Sequence, residues 1–351
     1  MFRRGLPWLV ALLCVLVGGV LWLYRTRQVD ADGGLPTMTG AEIVRKAWTE
    51  GRRVALKGHQ TSLMPGPKGE PIRVEANVLV SDEGCLRIEY LSAPLKGATV
   101  WECDERTYRY NPRLERISVA SRRSTDEEAR EQQMRLLTNY EATKAGEERV
   151  AGRPAVVVEL RPHSESSRWK RVWVDPKTWV ILASEDYGAA DQVLRSTRFT
   201  RVEYLSPSQL PAESEFRPSD AMLRKYASAQ AGDTSARFTP EQLSRIVGFE
   251  IRQPTWLPAG YTLEGAYQIP CACGRRHQAA RLEYTDGLNH ITLFQCGRPE
   301  CEAADDCFGA GNNDPQVAAL SRGGYRYLAV GDASPETLSK MLRSALPNAP
   351  R

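Results

Sequence analysis

The sequence predicts a β-rich α+β fold in two parts behind an N-terminal apolar segment, and three observations carry that expectation. Short strand-like runs separated by Gly, Pro and Asp recur from Arg53 to Tyr204. Several of them alternate charged and apolar residues, as in Arg73, Glu75 and Asn77 against Val74, Ala76 and Val78, so one sheet face should be wet and the other covered. A Pro, Ser and Ala-rich stretch then precedes a shorter region that mixes helix-start signals with strands. A chain of 351 residues is long enough for two cores.

The first element is the apolar run Leu6 to Tyr24, flanked by Arg3 and Arg4 on one side and Arg25 and Arg27 on the other. At helical rise it spans roughly 28 Å, about one hydrocarbon core, with Trp8, Trp22 and Tyr24 where interfacial aromatics belong. Residues 1–28 are therefore expected to anchor the chain in a membrane. A cleaved signal peptide is the alternative, although no small-x-small cleavage signature closes the run. Cys14 follows Leu13 and not the small residue a lipoprotein signal would need, so it is expected to sit within the helix. The cysteines orient the anchor: seven of eight lie beyond it, as expected of an oxidising compartment or a metal site. The N-terminus is thus assigned to the cytoplasm, and everything after about Val29 to the outside of the inner membrane in a single-pass arrangement. Without the four flanking arginines, basic and acidic residues balance at 43 each, which argues against a nucleic-acid partner.

After a linker over residues 29–38, Thr39 and Glu42 form a capping-box pattern for a helix carrying Ile43, Val44, Ala47 and Trp48 on one face. Strands are expected at Val54–Ser62, Ile72–Ser81, Cys85–Tyr90, Thr99–Cys103, Thr107–Tyr110 and Arg116–Ala120. Ser124 and Glu127 then open a charged helix through Met134, Leu136 and Leu137. The meander resumes at Ala155–Arg161, Trp169–Asp175, Trp179–Tyr187 and Gln192–Tyr204, with turns at Asp175-Pro176-Lys177 and Tyr187-Gly188. These elements form one expected domain, residues 39–204.

Residues 205–237 read as a linker with a helix from Asp220 to Ala229. The second domain, residues 238–351, opens on Thr239-Pro240-Glu241-Gln242, an N-cap followed by proline and a capping glutamine, and Ser334-Pro335-Glu336 repeats the device. Strands are expected between them at Tyr261–Gln268, Ala280–Tyr284, Ile291–Gln295 and Tyr325–Val330.

No nucleophile elbow, phosphate loop or HExxH pattern is present, and His59, His163, His277 and His290 read as surface or turn residues. The acidic residues are assigned to solvated strand and helix faces. Cys85 and Cys103 close neighbouring strands, and a disulfide there would contribute about 3 kcal/mol by restricting the unfolded chain. Cys271, Cys273, Cys296, Cys301 and Cys307 are an odd number. Two disulfides with one thiol left over is the favoured reading; a zinc site on Cys271, Cys273, Cys296 and Cys301, or with His277, is the weaker one because C-x-C and C-x4-C are not the usual knuckle spacing. No cofactor is expected, and ligand-contacting residues are not assigned.

Several phrases resemble the RseB/MucB family of sigma-E regulators and, more loosely, the LolA/LolB lipoprotein carriers. They are Gly84-Cys85-Leu86-Arg87-Ile88-Glu89-Tyr90, Tyr108-Arg109-Tyr110-Asn111-Pro112, Val150-Ala151-Gly152-Arg153-Pro154-Ala155 and Arg171-Val172-Trp173-Val174-Asp175 in the first domain. In the second they are Trp256-Leu257-Pro258-Ala259-Gly260-Tyr261, Leu282-Glu283-Tyr284-Thr285-Asp286-Gly287 and Gly331-Asp332-Ala333-Ser334-Pro335. The resemblance implies a LolA-like curved antiparallel half-barrel with helices in its concavity, joined to a small α+β domain. It also implies a non-enzymatic regulator in which the half-barrel holds a lipid or other acylated ligand and the second domain docks a partner such as a transmembrane anti-sigma factor. A LolA-like lipid or lipoprotein carrier is the alternative, and a thiol- or zinc-dependent envelope enzyme the alternative of another class. The anchor and the cysteine-rich insert depart from the family pattern.

Overall fold

The computed structural model describes residues 38–346 apart from 67–69, 105, 122–125, 165–167, 189–190, 227–235, 272–277 and 298–316. The expected anchor Leu6–Tyr24, with Cys14, lies outside the described residues, as do most of the 29–38 linker, His277 and Cys273, Cys301 and Cys307. Among the described residues no helix is long and apolar enough to cross a membrane.

Helix α1 (Gly40–Thr49) buries the expected Ile43, Val44 and Ala47, while Trp48 stays half-buried. A meander follows: β1 (Leu56–Pro65), β2 (Pro71–Val80), β3 (Leu86–Tyr90), β4 (Thr99–Cys103), β5 (Arg106–Asn111) and β6 (Arg116–Ser121). Helix α2 (Asp126–Asn139) leads directly into a second meander of β7 (Tyr140–Val150), β8 (Arg153–Pro162), β9 (Trp169–Val174), β10 (Ile181–Tyr187) and β11 (Val193–Tyr204). The two meanders fuse through antiparallel pairing of β1 with β11, giving one eleven-stranded sheet in the order β6-β5-β4-β3-β2-β1-β11-β10-β9-β8-β7.

The sheet is strongly curved. Strands β7 and β11 are separated by three others in the sheet order, yet Arg198 Nη2 donates to the Arg149 carbonyl at 3.1 Å. The β-rich half-barrel expected by resemblance is therefore present. One face carries a continuous apolar cluster including Leu56, Val78, Val157, Trp173, Leu182 and Phe199. The expected alternation in β2 holds, with Val74, Ala76 and Val78 buried and Arg73, Glu75 and Asn77 exposed. Helix α1 packs on β7 and β8, where Gly40 lies so close to the Ala142 backbone that a Cβ would come within 2.3 Å of its carbonyl oxygen.

Strand β7 escaped the sequence reading. Between buried Tyr140 and Val150 its residues are nearly all exposed, so no period-two pattern is written into it, and no turn signal separates it from α2. It is an edge strand held by β8 and by Trp173 Nε1, which donates to Glu148 at 2.9 Å.

The chain between the sheets is not featureless. It forms 3-10 turns at Pro207–Gln209 and Glu213–Phe216 and helix α3 (Asp220–Tyr226), which ends within the expected Asp220–Ala229; 227–229 lie outside the described residues. The six-stranded sheet runs β12 (Arg237–Phe238), β13 (Thr262–Pro270), β14 (Gln278–Thr285), β15 (His290–Cys296), β17 (Tyr325–Gly331) and β16 (Val317–Arg322) in spatial order. Helices α4 (Pro240–Val247) and α5 (Pro335–Ser344) cover one face, bringing Leu243, Val247, Leu338, Met341 and Leu342 onto Leu282, Tyr284, Leu293 and Tyr327. Thr239 and Gln242 make the capping box read from the sequence, and Ser334 caps α5. Strands β12 and β16 were not anticipated, although Gly323-Gly324, both at positive φ between β16 and β17, is a hairpin signal. Both sheets lie within one compact unit, Gly40–Arg351.

Candidate functional site

Two places on this scaffold gather polar side chains in ways the fold alone does not require. The first is the seam where the six-stranded sheet meets the eleven-stranded one. Asp286, in the β14–β15 turn, is 3% exposed. Its Oδ1 accepts from the backbone N–H groups of Leu288 at 2.9 Å and Asn289 at 2.7 Å, which ties the turn together. Its Oδ2 accepts from Tyr140 Oη at 2.7 Å, and Asn289 Nδ2 donates to that same phenol at 2.7 Å. Asn139 Nδ2 completes the join by donating to the Asp286 carbonyl at 2.8 Å and to the Gly260 carbonyl at 3.2 Å. The α2–β7 junction thus reaches into the β14–β15 turn, and burial together with the neighbouring carboxylate holds the Tyr140 phenol well above its ordinary range.

The turn sits close enough that only glycine fits. Gly287 has φ +100°, and a Cβ there would lie 2.5 Å from the Leu136 backbone nitrogen. A second join lies nearby: Asp332, after β17, receives Arg168 at 3.0 Å and Arg195 at 3.1 Å. Arg168, Arg195, His290 and Asp332 line a cavity of about 190 Å³ at this seam, whose other wall includes Trp169 and Tyr187. Those two rings stack with centroids 3.9 Å apart, and Arg161 stacks on Trp169 at 4.0 Å. Burial, then a hydrogen bond to Glu185, pushes the Tyr187 phenol up to about 12. His290 Nδ1 lies 3.6 Å from Glu264.

The second place is the polar face of β1–β5, across which Glu213–Phe216 lies. Arg87 Nη1 donates to Glu215 at 3.2 Å, and Phe216 is 2% exposed.

The assignment of every acidic residue to a solvated face is corrected here: Asp175, Glu283 and Asp286 are buried. Asp175 and Asp286 lie at a strand end or turn, where a short acceptor reaches backbone donors, and Asp-Pro and Asp-Gly pairs were the available signal, whereas Glu283 lies within β14 with Arg281 Nε 3.5 Å from its carboxylate. The turn after β9 is also longer than Asp175-Pro176-Lys177, because Asp175 Oδ1 accepts from both the Lys177 and Thr178 backbones and delays β10 to Ile181.

Of the cysteines, Cys85 and Cys103 are bonded across β3 and β4, with Cα atoms 4.4 Å apart. Cys271 and Cys296 are both buried, with their Sγ atoms 3.9 Å apart. Among the described residues no group of three or more His, Cys, Asp or Glu side chains is placed to hold a metal ion.

Comparison with known proteins bears on this arrangement directly. Residues 76–219 match the family model described as the MucB/RseB N-terminal domain. The sigma factor AlgU regulatory protein MucB of Pseudomonas aeruginosa is 28% identical over 167 residues, 45% of this chain, and the match spans less than half, 45%, of that relative's length. The Pseudomonas aeruginosa MucA/MucB complex is similar at TM-score 0.57 and 19% identity, covering 88% of this chain and 97% of that one. MucB in complex with MucA(peri) is similar at TM-score 0.57 and 18% identity, covering 89% and 98%. The resemblance read from the sequence thus holds in the first domain's sequence and in the fold of both sheets.

Proposed function

We propose that this chain is a non-enzymatic envelope regulator of the MucB/RseB kind, anchored by residues 1–28, whose outer part docks the extracytoplasmic segment of a membrane-bound anti-sigma factor. The observation that carries the reading is the MucB-like fold spanning both sheets, since a solved relative of that fold is bound to MucA. The polar seam supports it. A join made of hydrogen bonds and two arginines, one of them exposed, is weaker than an apolar interface of the same size, so the two sheets can respond to a partner that contacts both.

The same reading places a lipid or other acylated molecule against the curved sheet, whose apolar face would bury acyl chains at about 0.8 kcal/mol per CH₂. It also treats residues 39–204 and 238–351 as separate domains and places the module on the outer side of the inner membrane. Titration calorimetry of the detergent-solubilised full chain with the outer segment of the anti-sigma factor from the same genome tests it. Saturable 1:1 binding is the expected result. No binding, with lipid recovered from the purified protein, would replace the regulator by a carrier.

A further inference from the structure

The antiparallel register lays five side chains in one row across the polar face of the large sheet. Lys57 on β1 is paired with Leu79 on β2, Leu79 with Arg87 on β3, Arg87 with Trp101 on β4, and Trp101 with Tyr108 on β5. Side chains opposite one another in a ladder share a face, so the row presents cations at one end and aromatic surface at the other. On a face otherwise rich in charge, Trp101 is only 7% exposed.

What lies over the row is the chain's own segment Glu213-Ser214-Glu215-Phe216, packed on β3 and β4. It leaves space on either side. A cavity of about 490 Å³ runs between Glu215 and the sheet's Lys57, Arg87, Arg201 and Glu203. Another, of about 640 Å³, runs between Phe216 and the sheet's Cys103, Arg106 and Tyr108. The segment therefore divides a larger groove that it only partly fills. Among the described residues, the part-exposed ion pair Arg87–Glu215 and the buried ring of Phe216 help to hold it there. An ion pair of that exposure contributes little, at most about 1 kcal/mol.

We infer that this groove is a binding site for an acidic peptide segment bearing an aromatic residue, and that Glu213–Phe216 occupies it as an internal competitor. The sheet's own contribution to the first cavity is three cations against one carboxylate, which selects an acidic group there. The second places Tyr108 where a ring is already accepted in the form of Phe216. An incoming peptide that supplies both features replaces the resident segment with no uncompensated buried charge. Because that segment belongs to the connection between the two sheets, its release lengthens the free connection.

The test is fluorescence anisotropy with a labelled synthetic copy of Leu205–Ser219 and the detergent-solubilised full chain. Weakening the competitor should expose the groove: Glu215→Ala should bind the peptide about threefold to fivefold more tightly than the unaltered chain, the most that loss of one part-exposed ion pair allows, and Phe216→Ala, which removes the buried ring, about tenfold more tightly. Glu215 is on the surface, so that variant is expected to fold even if Phe216→Ala does not. Arg87→Glu should abolish binding, and a peptide with arginine at the Glu215 position should restore binding to Arg87→Glu while failing on the Glu215→Ala chain. Equal affinity for the unaltered chain and Glu215→Ala, no binding to either variant, or indifference to the charge exchange would each overturn the inference.

Discussion

Asp175 in the large sheet and Asp286 in the small one are both buried carboxylates at the start of a turn, but their partners differ. Asp175 is 2% exposed and faces a cation, with Arg153 Nε donating to Oδ2 at 2.7 Å, Tyr204 donating to the same oxygen at 2.8 Å, and the Lys177 N–H reaching Oδ1. Asp286 receives neutral donors on both oxygens, one of them, Tyr140, from the other sheet. Asp175, charge-paired, staples strands of one sheet to each other; Asp286 joins the two sheets through neutral donors alone, and the charge at the seam is carried by Asp332 instead. The contrast places rigidity inside the half-barrel and adaptability at the seam.

Removing the first staple should have the largest effect. Asp175→Ala leaves Arg153 beside the Tyr204 ring, 4.3 Å from its centroid, with no carboxylate, and is expected to destabilise the chain by about 3 kcal/mol in chemical denaturation. Burial opposes the charge on Asp175, but the Arg153 and Lys177 hydrogen bonds outweigh it and set its pKa below the ordinary value. A depressed folded-state pKa gives stability that is present above the unfolded value, about 3.9, and is lost as pH falls through the folded one. The stability difference between the unaltered chain and Asp175→Asn should therefore begin to shrink as pH falls through about 3.9 and go on shrinking below it. A difference that stays constant through that range would remove the charge from the account.

Gly287→Ala should come next, at about 2 kcal/mol, because the new Cβ meets the Leu136 backbone and φ is positive. If the contrast is correct, the loss appears at the seam: hydrogen exchange should quicken at the α2–β7 junction and in the β14–β15 turn, while β8–β10 stay protected. Uniform quickening would show the two sheets to be one cooperative unit. Tyr140→Phe should follow at about 1–2 kcal/mol, since it leaves Asp286 and Asn289 each lacking one buried partner. The more conservative change should also raise the affinity for a partner that needs the sheets to move, which the calorimetric titration reads directly.

How legible these features were in the sequence follows the same division. The half-barrel strands were readable where one face is buried, because Val74, Ala76 and Val78 alternate with charges. Strand β7 was not, since its stability comes from the neighbour β8 and from Trp173 on β9, and an exposed edge writes no period. The helices on the small sheet were announced by Thr239 and Ser334, which act locally. The seam was invisible for a different reason: Tyr140 and Asp286 are 146 residues apart, and nothing local to either specifies the other. Only Asp286-Gly287 hinted at it, as a turn, and the close approach that requires glycine there is a tertiary fact.

The smallest expected effect sharpens the contrast most. Asp332 receives Arg168 and Arg195 together, and Arg195 is the more exposed of the two, at 45% against 18% of its side chain. Arg195→Ala should lower stability by less than about 1 kcal/mol, because Arg168 keeps the carboxylate paired and solvent screens the lost contact. Arg168→Ala should lower it more, since the side chain that remains is the one water already reaches. In a double-mutant cycle the two losses should not add: once either arginine is gone the other carries the whole interaction with Asp332, and the second removal strands the carboxylate. Simple additivity would mean that each arginine acts independently of the other at Asp332 and that the seam is held chiefly at Asp286. A large coupling would instead make Asp332 a second fixed point, and a join fixed at two points behaves as a hinge about the line between them.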